Sequence, residues 1–242
     1  MRKVALFIVC AMVLGGCDKH DPILPGVRDS IFNTSNLNVL NTSVPNVPEN
    51  LLEYKADDCP YTQKSDNTVW ADSRKIFAGF ATGNSVAGER TPMCNNGFVY
   101  AGLSTGELVK LNPRTRRIVW ITDVYSPTNM TGGSSVLDIV APIQIRGKYV
   151  YVGGLGDAFC KVSDTTGTAS WCVGIGVEKP FVVTDDVAYV LDTENNLNAI
   201  RLRDGAIYWR KPVQKSRTPR YVDKKIIVGA EQFSAETGEL LK

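Results

Sequence analysis

From about residue 67 the chain breaks into short apolar runs with the two-residue period of half-buried strands, as in Glu107-Leu108-Val109-Lys110-Leu111-Asn112 and Leu197-Asn198-Ala199-Ile200-Arg201-Leu202. Each such run is preceded by a turn that opens into an apolar strand: Asn95-Asn96-Gly97 into Phe98, Arg146-Gly147-Lys148 into Tyr149, Asp185-Asp186 into Val187, and Asp223-Lys224-Lys225 into Ile226. Each is followed by a second turn and an aromatic closure, Arg116 to Trp120, Gly167 to Trp171 and Gly205 to Trp209, with a last turn at Gly238. A period of roughly 40 residues with three or four strands in each unit is the signature of propeller blades. The pattern predicts an all-β fold: a β-propeller of about four recognisable four-stranded blades over residues 67–242, forming a small or incomplete ring. Strands around Trp70 and Ile76-Phe77 could close it onto Leu240-Leu241, giving four closed blades or an open arc.

One four-stranded sheet cannot bury both of its faces, so such units are stable only when stacked. Trp120, Trp171 and Trp209 are expected in the core between blades, each burying roughly 150–250 Å². Gly153, Gly154 and Gly156 lack the third glycine and following helix of a nucleotide loop and read as tight strand ends.

Upstream the pattern is different. Residues 17–66 hold Pro22, Pro25, Pro45, Pro48 and Pro60 among many Asn, Ser and Thr with no clean period, which predicts an extended tether. Residues 1–16 combine Arg2-Lys3 with an apolar run from Val4 to Leu14, too short to span a bilayer and shaped like a signal peptide. Val13-Leu14-Gly15-Gly16-Cys17 resembles a bacterial lipobox, which implies cleavage before Cys17 and diacylglycerol on its thiol. Acyl chains stabilise membrane attachment by about 0.8 kcal/mol per buried methylene, so no spanning helix is needed. An ordinary secretory signal with an incidental Cys17 is the alternative. Asp18 follows; in enteric bacteria an aspartate there usually marks retention in the inner membrane, so both membranes stay open.

The formal charge of the 242 residues is +2, and cleavage would remove Arg2 and Lys3 and leave the chain close to neutral. That excludes the basic field a nucleic-acid binder needs and argues against long-range charge steering of a partner. The single histidine, His20, lies in a polar stretch near the N-terminus and offers no base for a nucleophile triad. Four cysteines remain for an oxidising compartment, Cys59, Cys94, Cys160 and Cys172, with three pairings open. The hairpin between Cys160 and Cys172 favours that pair, Cys59–Cys94 follows by elimination, and buried free thiols are the alternative. No C-x-x-C occurs, so no metal site is assigned.

The closures Asp164-Thr165-Thr166-Gly167-Thr168-Ala169-Ser170-Trp171 and Arg203-Asp204-Gly205-Ala206-Ile207-Tyr208-Trp209 resemble the quinoprotein-like propeller repeat. With the lipobox, the chain is similar to the BamB family, lipoproteins of the outer-membrane β-barrel assembly machinery. Three stretches carry the likeness: Cys17 followed by Pro22-Ile23-Leu24-Pro25-Gly26-Val27-Arg28, as in alphaproteobacterial members; Ala87-Gly88-Glu89-Arg90-Thr91-Pro92; and Val136-Leu137-Asp138-Ile139-Val140-Ala141-Pro142. The resemblance implies a non-enzymatic scaffold on the periplasmic side of the outer membrane of a Gram-negative cell. Its implied partners are a BamA-like barrel assembly protein and unfolded outer-membrane proteins, met by propeller loops and strand edges. It points to Val86, Glu89, Arg90 and Asp138 as partner-binding residues. Two departures stand out: family members have eight blades, and Ala87 occupies the place of the arginine that contacts BamA.

Two other functions compete. An envelope-anchored propeller could bind or sense a small ligand. A quinone-dependent dehydrogenase would hold its quinone and Ca²⁺ on the propeller axis; here the acidic residues Asp157, Asp164, Asp185, Asp186 and Asp192 sit in turns, and the adjacent cysteine pair of alcohol dehydrogenases is missing. No catalytic residue and no cofactor is assigned.

Overall fold

Turn residues, mostly Asn, Asp and Gly, recur within a sheet about every ten residues at left-handed backbone angles, Asn67 at φ 62°, Asn96 at 50° and Asn195 at 63° among them, and chop the apolar runs into short strands. The computed structural model describes residues 37–51, 57–81, 85–125 and 136–241, all within one unit, Phe32–Lys242. The signal segment and Cys17 lie outside the described residues. Nineteen strands and no helix are found among those described, in five antiparallel sheets.

The first sheet holds β1 (Tyr61–Gln63), β2 (Thr68–Ala71) and β3 (Arg74–Ala78); the second β4 (Met93–Asn95), β5 (Phe98–Gly102), β6 (Glu107–Asn112) and β7 (Arg117–Asp123). The third holds β8 (Gln144–Arg146), β9 (Tyr149–Gly154), β10 (Ala158–Ser163) and β11 (Ala169–Val173); the fourth β12 (Val182–Val183), β13 (Val187–Leu191), β14 (Asn196–Arg201) and β15 (Ile207–Pro212). The fifth holds β16 (Arg220–Val222), β17 (Lys225–Val228), β18 (Glu231–Ser234) and β19 (Leu240–Leu241). Every sheet is a simple meander, the strand order of a propeller blade.

Four hydrophobic cores lie between consecutive sheets. Val69 meets Val99, Val109 and Leu111; Tyr100 and Trp120 meet Ile145, Val150 and Val162; Tyr151 and Phe159 meet Val190, Ile200 and Ile207; Tyr189 and Trp209 meet Ile226, Val228 and Phe233. Among the described residues no core joins the fifth sheet to the first, and β19 pairs with β18 alone. The chain is a partial propeller, an arc of five sheets. Trp70, Ile76 and Phe77 do not reach Leu240-Leu241, because they are spent inside their own sheet, with Phe77 opposite Val69 and Trp70 opposite Lys75.

Each tryptophan closure locks one sheet to the next. The indole N–H of Trp120 donates to the Asp164 carbonyl at 2.8 Å, that of Trp171 to Leu202 at 3.0 Å, and that of Trp209 to Glu236 at 3.0 Å. The three rings lie on Gly167, Gly205 and Gly238; at Gly238, with φ +69°, a Cβ would sit 2.6 Å from the Trp209 ring. In the first sheet the position after the same strand bulge is Phe77, and the turn it would meet carries Arg116 at φ 56°. That junction lacks the indole lock.

The sheet signal begins six residues earlier than the pattern predicts, at Tyr61, since β1 is too short to show a period. Residues 38–42, expected to be free tether, are laid along β15: Val39 bridges Ile207 in parallel, Asn38 accepts from the Ile207 N–H at 2.9 Å, and the Leu40 N–H donates to Ile207 at 2.8 Å. The segment escaped notice because it follows a curved surface and repeats no spacing. Both disulfides link positions that the fold brings together: Cys160 and Cys172 face each other across β10 and β11, Cα atoms 4.1 Å apart, and Cys59 joins Cys94 at 5.2 Å.

Trp209 is almost fully buried whereas Trp171 is partly exposed. Trp209→Ala is expected to lower unfolding free energy by about 3–5 kcal/mol and Trp171→Ala by less, read by circular dichroism in urea. Gly238→Ala should destabilise through the left-handed angle and the indole contact together; a neutral result would show that the turn yields freely.

Candidate partner-docking loops

The loops that enter the second and third sheets meet on one side of the arc. The turn between β1 and β2 supplies the first clamp. Asn67 at its left-handed corner accepts from the Ser104 N–H and hydroxyl, both at 2.8 Å, and its amide donates to the Phe80 carbonyl at 2.6 Å. Gln63 donates to Gly102 at 2.6 Å, and Gln63 and Arg90 exchange both main-chain hydrogen bonds at 2.8 and 2.9 Å. The Arg90 guanidinium also donates to Gly102. Burial pushes that guanidinium below its ordinary pKa, and the negative charge of Asp138 opposes the shift.

Asp138 supplies the second clamp from the next loop. Its Oδ2 accepts from the Val86 N–H at 2.6 Å, the Ala87 N–H at 2.8 Å and the Ser85 hydroxyl at 3.2 Å. Its carbonyl accepts from Leu155 and lies where a Cβ on Gly154 would stand, 2.6 Å away, so the strand end at Gly154 admits only glycine. Asp138 is fully buried.

The structure therefore brings Val86, Glu89, Arg90 and Asp138 into one cluster and divides their roles. Val86 is 62% exposed and Glu89 is exposed; Arg90 is half-buried. Asp138, expected to touch a partner, does not face solvent: it holds the loop. Phe80, 80% exposed, is tied to the first clamp through its carbonyl and, like Gln63, carried no signal in the sequence. Asn67 had a readable signal, since Lys64-Ser65-Asp66-Asn67 is spaced like Leu103-Ser104-Thr105-Gly106 and makes the same turn hydrogen bonds.

A cleft of about 380 Å³ lies farther along, lined by Asp157, Gly176, Asp192, Glu194 and Arg210. Its one guanidinium is shared by two of its three carboxylates: Arg210 donates to Asp192 at 2.9 Å and to Glu194 at 2.6 Å. Asp164 is similarly occupied, accepting from Tyr100 at 2.5 Å and Lys110 at 2.8 Å. Asp185 and Asp186 are exposed in the turn before β13. No three acids, cysteines or histidines among the described residues are grouped as a metal would need.

These features define a repeat protein of propeller blades, braced by side-chain clamps and presenting loops. A family model described as "Outer membrane protein assembly factor BamB" matches residues 41–211, and the chain belongs to that family. It is 25% identical over 213 residues to the outer membrane protein assembly factor BamB of Yersinia pestis, covering 86% of this chain and 46% of the relative. The corresponding protein of Kangiella koreensis is 21% identical over 145 residues, covering 57% and 37%. The chain thus matches less than half the length of these curated relatives. The crystal structure of BamB from Moraxella catarrhalis aligns with a TM-score of 0.48 at 18% identity, over 80% of this chain and 66% of that one.

Replacing Asp138 by Ala strands two main-chain donors, at about 1–3 kcal/mol for each buried unsatisfied group. Amide exchange at Val86 and Ala87 is expected to quicken tenfold or more, with the sheets unaffected, and Asp138→Asn, which keeps one acceptor oxygen, should fall between. Unchanged exchange would mean that the loop is held by other contacts.

Proposed function

We propose that the chain is a non-enzymatic scaffold in outer-membrane protein assembly, docking a BamA-like barrel assembly protein through the loop of Phe80, Val86, Glu89 and Arg90. The observation that carries this is the pair of clamps: two exposed apolar side chains are held out by a buried carboxylate and a buried amide network, an arrangement suited to contact and not to chemistry. Family membership supports the assembly role. The engagement of Asp164 and Asp192 with Lys110 and Arg210 supports a scaffold over a quinone enzyme, since neither carboxylate is left to serve as a base. Ala87 replaces the arginine that family members use, so docking here relies on Val86 and Phe80.

In this reading Cys17 carries the acyl chains, residues 18–36 link them to the arc, and the protein faces the periplasm from the outer membrane. Unfolded outer-membrane proteins are its clients.

Cross-linking in native membranes should capture a BamA-like partner, and Val86→Asp combined with Phe80→Ser should reduce that capture at least tenfold without loss of folded protein. Mass spectrometry of the mature chain should find a diacylglyceryl thioether at Cys17. Equal capture by the double variant would move the docking surface elsewhere; a free thiol at Cys17 would remove the anchor.

A further inference from the structure

We infer that the outer edge of β7 accepts an extended client segment of alternating apolar and polar residues as an added strand, seated at Ile118 and Ile121. The inference deepens the scaffold reading and rests on it for the nature of the occupant, an unfolded outer-membrane strand, which alternates in this way.

The template is in the chain itself. The second and fourth sheets carry the same bulge, between Lys110 and Leu111 and between Ala199 and Ile200, and place one isoleucine just past it on the outer strand: Ile118 opposite Leu111, Ile207 opposite Ile200. In the fourth sheet that edge is occupied. Residues 38–42 run along β15, exchanging main-chain hydrogen bonds with Ile207 on both sides of Val39, and the Thr42 N–H donates to Tyr208 at 3.0 Å. Leu37 and Val39 pack against the core that contains Ile207, which is wholly buried as a result. In the second sheet nothing described covers the edge, and Ile118 and Ile121 are half exposed, with Val119 between them similarly so. Three large apolar residues exposed in four positions on an edge strand are a template for strand addition.

The reason for the bare edge is local. Ile118 and Ile121 stand opposite Leu111 and Val109, on the face turned toward the first sheet. That sheet joins β2 to β3 through only the two residues Asp72-Ser73, where four residues join β6 to β7, so its outer part is short. The own-chain segment Asn38-Val39-Leu40-Asn41-Thr42-Ser43-Val44 shows the chemistry that fits such an edge: an uncharged stretch, bridging at Val39 and bent at Asn41 (φ 53°), with apolar residues interspersed among small polar ones. Strand addition takes its affinity from main-chain bonds, so many client sequences would be accepted provided they lie extended.

The test uses the full chain and a fluorescent decapeptide of alternating valine and threonine flanked by lysines. Saturable binding is expected by anisotropy, at least tenfold weaker for Ile118→Lys/Ile121→Lys, unchanged for the exposed-strand control Val222→Lys, and abolished when two central threonines of the peptide become prolines. Binding that the double variant retains, or no binding by the native chain, overturns the inference. So does a concentration-dependent dimer lost in the same variant, since a second copy would then own the edge. Capture of the BamA-like partner is read in parallel. If peptide binding is lost in the edge variant while capture persists, the edge and the docking loop are separate and both readings stand. If peptide binding fails while capture still depends on Val86, the edge inference falls alone.

Discussion

The fold depends on one constraint: a small antiparallel sheet with two apolar faces cannot be satisfied by itself. Each of the three middle sheets contributes alternate residues to the core on either side, each end sheet to one, and the four cores between five sheets are the consequence. The tryptophan closures convert that non-directional burial into a fixed spacing. An indole lies flat on the glycine turn of the next sheet and donates to a carbonyl there, so area and direction are supplied together. A side chain on the turn would separate the sheets, and a ring without an N–H would lose the directed bond and leave the carbonyl to its second donor, Lys110 at Asp164, Lys161 at Leu202 and the Val44 N–H at Glu236.

Stacked repeats are weakest where a neighbour is missing, and both end sheets of the arc are braced by something other than a blade. The first, which lacks an indole lock to its neighbour, is tied by the Cys59–Cys94 disulfide and by the Asn67–Ser104 clamp. In chain-entropy terms a disulfide closing a loop of some tens of residues contributes a few kcal/mol. The fifth is held by the N-terminal segment, where the Val44 N–H donates to Glu236 at 2.8 Å and the Tyr221 hydroxyl to the Pro48 carbonyl. Burial, with the neighbouring Tyr221 and Tyr208 as lesser causes, pushes the Tyr189 hydroxyl, which donates to Ala235 across the same junction, above its ordinary pKa. The segment that looks like a spacer is therefore part of the domain from Asn38 onward.

Much of this was legible in the residues. The strand period, the turn residues and the recurrence of Trp120, Trp171 and Trp209 are local properties, and local properties fixed the blade pattern. The hairpin between Cys160 and Cys172 could be paired for the same reason. What could not be read was non-local. Residues 38–42 bind an edge formed by residues 207–208, and no spacing within them announces it. Asp138 looked like a loop acid available to a partner, because nothing in Leu137-Asp138-Ile139 indicates that Val86 and Ala87 come to it from half a hundred residues away. The first sheet was seen as loose strands since its three members are short and its closure residue is Phe77, not tryptophan.

The buried carboxylate of Asp138 shows how the loop cluster differs from ordinary surface turns. One oxygen receives three donors, whereas Oδ1 is buried with no hydrogen-bond partner, an arrangement that costs free energy a solvent-exposed loop would not need to spend. Arg90, its partly buried counter-charge, reaches past it to Gly102, so neither group neutralises the other by direct contact. A turn selected for stability alone would replace this pair with a tight glycine corner like those at Gly106 and Gly238. The clamp nonetheless holds Val86 outward at that cost, and this is the physical ground on which the proposed docking role rests.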